Sequence, residues 1–81
     1  MKHTRHDIGL KKFGENLRKI RLSKNFTQES LANTANLEIS QISRIERGVI
    51  NTSISQVFVI AKALGIDPKD LFDFKINDSD K

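Results

Sequence analysis

A chain of 81 residues leaves room for one domain with a single modest core, and the absence of cysteine excludes a disulfide framework and a thiolate metal site. No apolar run approaches the ~20 residues that span a bilayer and the chain starts without the apolar stretch of a secretory signal, so cytoplasmic residence is expected. The formal net charge of +4 is unevenly placed: residues 1–47 carry ten Lys or Arg against five Asp or Glu, and residues 48–81 four Lys against five Asp, an asymmetry that suits a polyanionic partner.

Residues 1–7 are polar and are expected to form a flexible arm, with Lys2 and Arg5 cationic at neutral pH. His3 and His6 stand three apart, but with no cysteine or carboxylate set beside them they read as surface histidines, not as a metal site. From Ile8 to Lys24, Leu10, Phe13, Leu17 and Ile20 recur at intervals of three and four, which predicts a first helix with one apolar stripe. Gly14 weakens that helix by about 1 kcal/mol relative to Ala, so a close-packing role is expected there. Asn25 allows the turn into Phe26.

Thr27 is a good N-cap for a second helix beginning at Gln28, in which Leu31 and Ala32 face inward. Ala32 is small where another helix must cross closely, and Asn36 readily takes the left-handed conformation that ends such a helix. Leu37 plugs the corner. A third helix over Glu38 to Arg47 buries Ile42 and Ile45, and Gly48 stops it. Wound at ~3.6 residues per turn, it sets Ser40, Ser43, Arg44 and Arg47 opposite the isoleucines, with Ile39 and Gln41 on the flanks. Glu46 falls on the inward side, where an unpaired carboxylate is costly, so it requires a partner.

Val49 and Ile50 follow in a loop, expected to be partly buried under the neighbouring helix, the alternative being a partner or dimer contact, and Thr52 or Ser53 can cap the next helix. That fourth helix, Ile54 to Leu64, is apolar almost all round: one side fills the core and another wants covering. Gly65 ends it. Asp67 and Pro68 open a short fifth helix through Leu71 and Phe72, and the tail over residues 75–81 has little to bury and is expected to be flexible. With no strand pattern anywhere, the prediction is an all-α fold, a compact five-helix bundle occupying residues 8–74. No Cys nucleophile, phosphate-cradling glycine loop or Ser, His and carboxylate grouping points to an enzyme, and no cofactor or metal is implied.

The stretch FTQESLANTANLEISQISRIERG, Phe26 to Gly48, resembles the helix-turn-helix of the Cro and lambda-repressor-like DNA-binding family. The likeness extends through FGENLRKIR ahead of it and IAKALGIDPKDLF behind it, covering Phe13 to Phe72. The resemblance implies that Arg21 is the partner Glu46 requires, and that the helix from Glu38 to Arg47 enters the major groove of double-stranded DNA. Ile39, Ser40, Gln41 and Arg44 match the family's base-facing positions: Gln41 suits adenine, Arg44 guanine or a phosphate, and Ile39 a thymine methyl. Glu38 can accept from cytosine or favour the helix dipole, Gln28 matches a backbone-phosphate contact, and Ser43 and Arg47 are secondary DNA contacts.

Small members of the family, among them restriction-modification controllers, phage repressors and antitoxins, commonly dimerise through C-terminal helices. Together with the apolar excess of the fourth helix, this implies a homodimer interface near Val59, Ile66, Phe72 and Phe74, the alternative for Phe72 being closure of the monomer core. Two departures stand out: Val49 and Ile50 lie where the family usually has basic or polar residues, and Thr52 where it often has proline. The expected function is that of a sequence-specific transcriptional regulator on a palindromic operator. The alternative is an antitoxin-like module that masks a protein partner through the Val57 to Ile60 surface.

Overall fold

The computed structural model describes residues 4–80; Lys2, His3 and the His3–His6 pairing lie outside the described residues. Four α-helices follow one another: α1 (Asp7–Ser23), α2 (Gln28–Ala35), α3 (Ile39–Glu46) and α4 (Ile54–Leu64). A 3-10 helix, Pro68–Phe72, and a shorter 3-10 turn, Asp78–Asp80, complete the chain. Among the described residues there is no strand, and no helix is long and apolar enough to cross a membrane.

Every α-helix ends in the same way. The residues Asn25, Asn36, Gly48 and Gly65 hold φ of 64°, 56°, 69° and 70°. The amide beyond each one turns back to the carbonyl five residues earlier: Phe26 to Arg21, Leu37 to Ala32, Val49 to Arg44 and Ile66 to Ala61, all at 2.9–3.1 Å. Asparagine and glycine tolerate the left-handed conformation, so the last carbonyls of each helix are satisfied and the chain reverses in two residues. Phe26, Leu37 and Ile66 then pack on the core as the first apolar side chains after each stop. The starts are equally local, since Thr27 Oγ1 accepts from the Ser30 amide at 2.9 Å and Ser53 Oγ from the Gln56 amide at 3.2 Å.

The core is one cluster in which Leu17, Leu31, Ile42, Ile60 and Leu71 lose all contact with solvent, contributed by α1, α2, α3, α4 and the 3-10 helix respectively. Gly14 is where α1 meets the end of α3. A Cβ there would stand 2.3 Å from the Ile45 carbonyl oxygen and 2.5 Å from that of Glu46, so only glycine admits this approach.

The predicted five-helix bundle needs one correction, since the fifth element is not an α-helix. Asp67 caps it and Pro68 opens it as foreseen, but its bonds run from Asp70 N to Asp67 O and from Asp73 N to Asp70 O, the tighter 3-10 pattern. The Asn16 carboxamide, reaching across from α1, donates to the carbonyls of Asp70 and Leu71, each at 2.9 Å. Those are the two acceptors that the next α-helical turn would use, and it does not form. The first helix also begins one residue earlier than predicted, and Glu38 and Arg47 flank α3 as its caps instead of lying within it.

The ends of the described chain lie against this body. Arg5 Nη2 donates to the Val49 carbonyl at 3.0 Å, and Asn51 Nδ2 to the Thr4 carbonyl at 3.2 Å. His6 Nδ1 accepts from the Gly9 amide at 2.9 Å and so caps α1. On the other side Lys12 Nζ donates to the Lys75 carbonyl at 2.9 Å.

Candidate nucleic-acid interface

Helix α3 has two sides that share no residue in the core. Ile42 and Ile45 point inward and are fully buried, while Ile39, Ser40, Arg44 and Arg47 are exposed and Gln41 and Ser43 half-buried. Among the described residues neither Arg44 nor Arg47 forms an ion pair, so both guanidinium groups are available to an anion. The exposed side thus combines two fixed cations, hydroxyl and amide donors and the apolar Ile39, an assortment able to read base edges and phosphates.

Gln41 has a structural task as well. Its Oε1 accepts from the Glu38 amide at 3.0 Å, closing the start of the helix, which leaves the carboxamide nitrogen as its free donor. Bidentate pairing with adenine therefore uses the second lone pair of the same oxygen, which then serves both the cap and the base. Glu38 is exposed at the helix start, its carboxylate near the positive end of the helix dipole.

The inward side of α3 ends in a polar cluster. Arg21 Nε meets Glu46 Oε2 at 2.6 Å and Arg21 Nη2 meets Oε1 at 3.1 Å, with side chains only 7% and 2% exposed. The remaining guanidinium nitrogen, Nη1, donates to the Phe26 carbonyl at 2.8 Å, in the turn that leads into α2. Gln28 Nε2 donates to Glu46 Oε1 at 3.0 Å. Among the described residues no buried side-chain nitrogen or oxygen lacks a partner, so the cluster is closed. The helical periodicity demanded a partner for Glu46 and Arg21 supplies it; the third donor, Gln28, carries no signal in the sequence pattern.

The residues expected at a dimer interface divide. Val59 and Phe72 are exposed, whereas Ile66 and Phe74 are partly buried against the core. The Phe72 ring packs on Phe13 with centroids 5.1 Å apart and still leaves 54% of the residue exposed. Among the described residues the most exposed large apolar side chains are Ile54, which pattern reading did not single out, and Phe58, within the Val57 to Ile60 stretch, at 72% and 57%. Beside them an apolar groove of about 490 Å³ runs between the starts of α1 and α4, floored by Leu10, Phe13 and Val57.

Comparison with known proteins accords with this geometry. The family model described as helix-turn-helix matches residues 17–71. Over 63 residues the chain is 52% identical to the control protein C.BamHI of Bacillus amyloliquefaciens, covering 76% of this chain and 78% of that protein. Among solved structures, the restriction-modification controller protein C.AhdI of Aeromonas hydrophila superposes with a TM-score of 0.77 at 41% identity, covering 78% of this chain and 96% of that one. The wild-type controller protein C.Esp1396I gives 0.73 at 39% identity, with 79% and 84% covered.

Proposed function

Since the chain belongs to the helix-turn-helix family, we propose that it is a cytoplasmic transcriptional regulator of the restriction-modification controller kind, which binds a specific sequence of double-stranded DNA as a homodimer. The observation that carries this reading is the division of α3: its inner side is bolted to α1 and α2 through Glu46, and its outer side presents unpaired Arg44 and Arg47. A rigid helix with free donors is what major-groove readout needs. Arg44, Gln41, Ser40 and Ile39 read base edges, and Arg47 and Ser43 lie toward the backbone, while the Gln28 carboxamide is engaged by Glu46. A single copy reads only a few base pairs. Two copies related by a two-fold axis read both halves of a palindrome, with their α3 helices about one DNA turn, ~34 Å, apart.

Selection of bound duplexes from a random pool tests the proposal, followed by affinity measurements in rising salt. One duplex is expected to be preferred over random sequence, with affinity falling steeply as salt increases. Arg44→Ala and Gln41→Ala should each lose about 1–3 kcal/mol on the selected duplex. The urea midpoint should stay put for Arg44→Ala, while Gln41→Ala also loses up to about 1 kcal/mol with its cap. Wild-type binding by both variants would mean that a different face meets DNA. A stoichiometric protein partner with no duplex preference would point to the antitoxin-like role instead.

A further inference from the structure

We propose that Gln28 is a positioning residue for sequence discrimination, acting through Glu46 on the seat of α3; the proposal rests on the reading of α3 as the recognition helix. Helices α2 and α3 are joined at one end by the turn at Asn36 and Leu37, where the Leu37 amide bonds to the Ala32 carbonyl at 2.9 Å. At the other end, the first residue of α2 bonds to the last residue of α3, Gln28 Nε2 to Glu46 Oε1 at 3.0 Å. The pair is therefore held at both ends, by backbone at the turn and by one side-chain bond at the opening.

Between those ends the two helices meet through Leu31, Ala32, Ile42 and Ile45, all buried and all apolar. Such packing favours a crossing angle but with a scatter of about 15–20°, which leaves room for a directional bond to refine the seat. The Gln28 bond to a carboxylate is directional and sits farthest from the pivot, where it has the greatest leverage on the crossing angle. Arg21 holds the same carboxylate from α1, so losing Gln28 does not orphan Glu46. It removes the tie between α2 and the end of α3 while Arg21 keeps Glu46 on α1, so α3 shifts slightly relative to α2, more near Arg44 and Arg47 than near Ser40 and Gln41. Base contacts lose their geometry under such a shift, whereas the attraction between cationic side chains and phosphates tolerates it.

This role differs from a backbone-phosphate clamp in what it does to two duplexes. Loss of a phosphate contact weakens binding to every sequence alike, whereas loss of the seat weakens binding to the selected duplex alone. The test is the affinity of Gln28→Met for the selected duplex and for random DNA, with the wild type as the control. A wild type without any preference would refute the recognition-helix reading itself, separately from this one. With a preference established, Gln28→Met is expected to lose about tenfold on the selected duplex and nothing on random DNA, at a urea midpoint close to wild type. Its effect should shrink in an Arg44→Ala background, because the contact it positions is already gone.

Gln28→Lys keeps a donor for Glu46 Oε1 and should keep the wild-type ratio between the two duplexes, even though its added charge raises both affinities. This variant keeps the proposal exposed should Gln28→Met fold poorly: a lost ratio in Gln28→Lys overturns it. Equal losses of Gln28→Met on both duplexes, or full additivity with Arg44→Ala, would overturn it as well.

Discussion

Arg21 shows how little the type of a residue says about its task in a basic protein. It sits among the cations of α1 and yet faces inward, with both Glu46 oxygens and the Phe26 carbonyl as its acceptors. Arg21→Ala would leave the Glu46 carboxylate buried with a single donor, and breaking a buried pair in this way costs about 3–5 kcal/mol. Against a total of about 5–15 kcal/mol for a small domain, the midpoint of urea unfolding should fall steeply. An unchanged midpoint with poor DNA binding would make Arg21 a phosphate contact. At this scale the sequence was legible where periodicity forces a conclusion: Glu46 lies on the isoleucine side of α3, so it had to be paired. It was silent about the partners of Asn16 and Gln28, whose bonds join a side chain to a place no local pattern specifies.

Helix ends were the most legible elements, and the reason is local sterics. Asn25, Asn36, Gly48 and Gly65 each stand where the apolar periodicity breaks, and each takes positive φ. The fifth element was misread because Asn16, distant in sequence, captures the carbonyls of Asp70 and Leu71. The glycines give a sharp test of element packing. Gly14→Ala raises helix propensity by about 1 kcal/mol but drives a Cβ into two backbone oxygens at the end of α3. Overpacking of that kind costs about 1–3 kcal/mol or more, so a net loss of thermal stability is expected. Gly65→Ala meets no neighbouring atom and bears only the strain of φ 70°, a smaller penalty. Calorimetry that ranks Gly14→Ala as the milder change would show that α1 and α3 can separate without cost.

For the molecule as a whole, apolar surface is left over. Ile54, Phe58 and Phe72 are more than half exposed beside the groove floored by Leu10, Phe13 and Val57, and a second copy seated there would cover them. Sedimentation at micromolar protein should give a dimer, and Phe58→Asp should give a monomer that still folds, since this ring is outside the core. A wild-type monomer bound one per duplex to an asymmetric site would rule the dimer out. The sequence announced the apolar excess of α4 but not which of its residues stay outside, because that depends on where the C-terminal segment lies. The two-sided build of α3 also bears on how such a protein can change its target over generations. Ile39, Ser40 and Arg44 take no part in the closed cluster around Glu46, so if they read DNA as proposed, descendants can exchange them and acquire new binding sites at little cost to the fold. Gln41 differs in that its side chain closes the helix start, so on the proposed reading it is the position at which drift toward a new target would first meet resistance from stability.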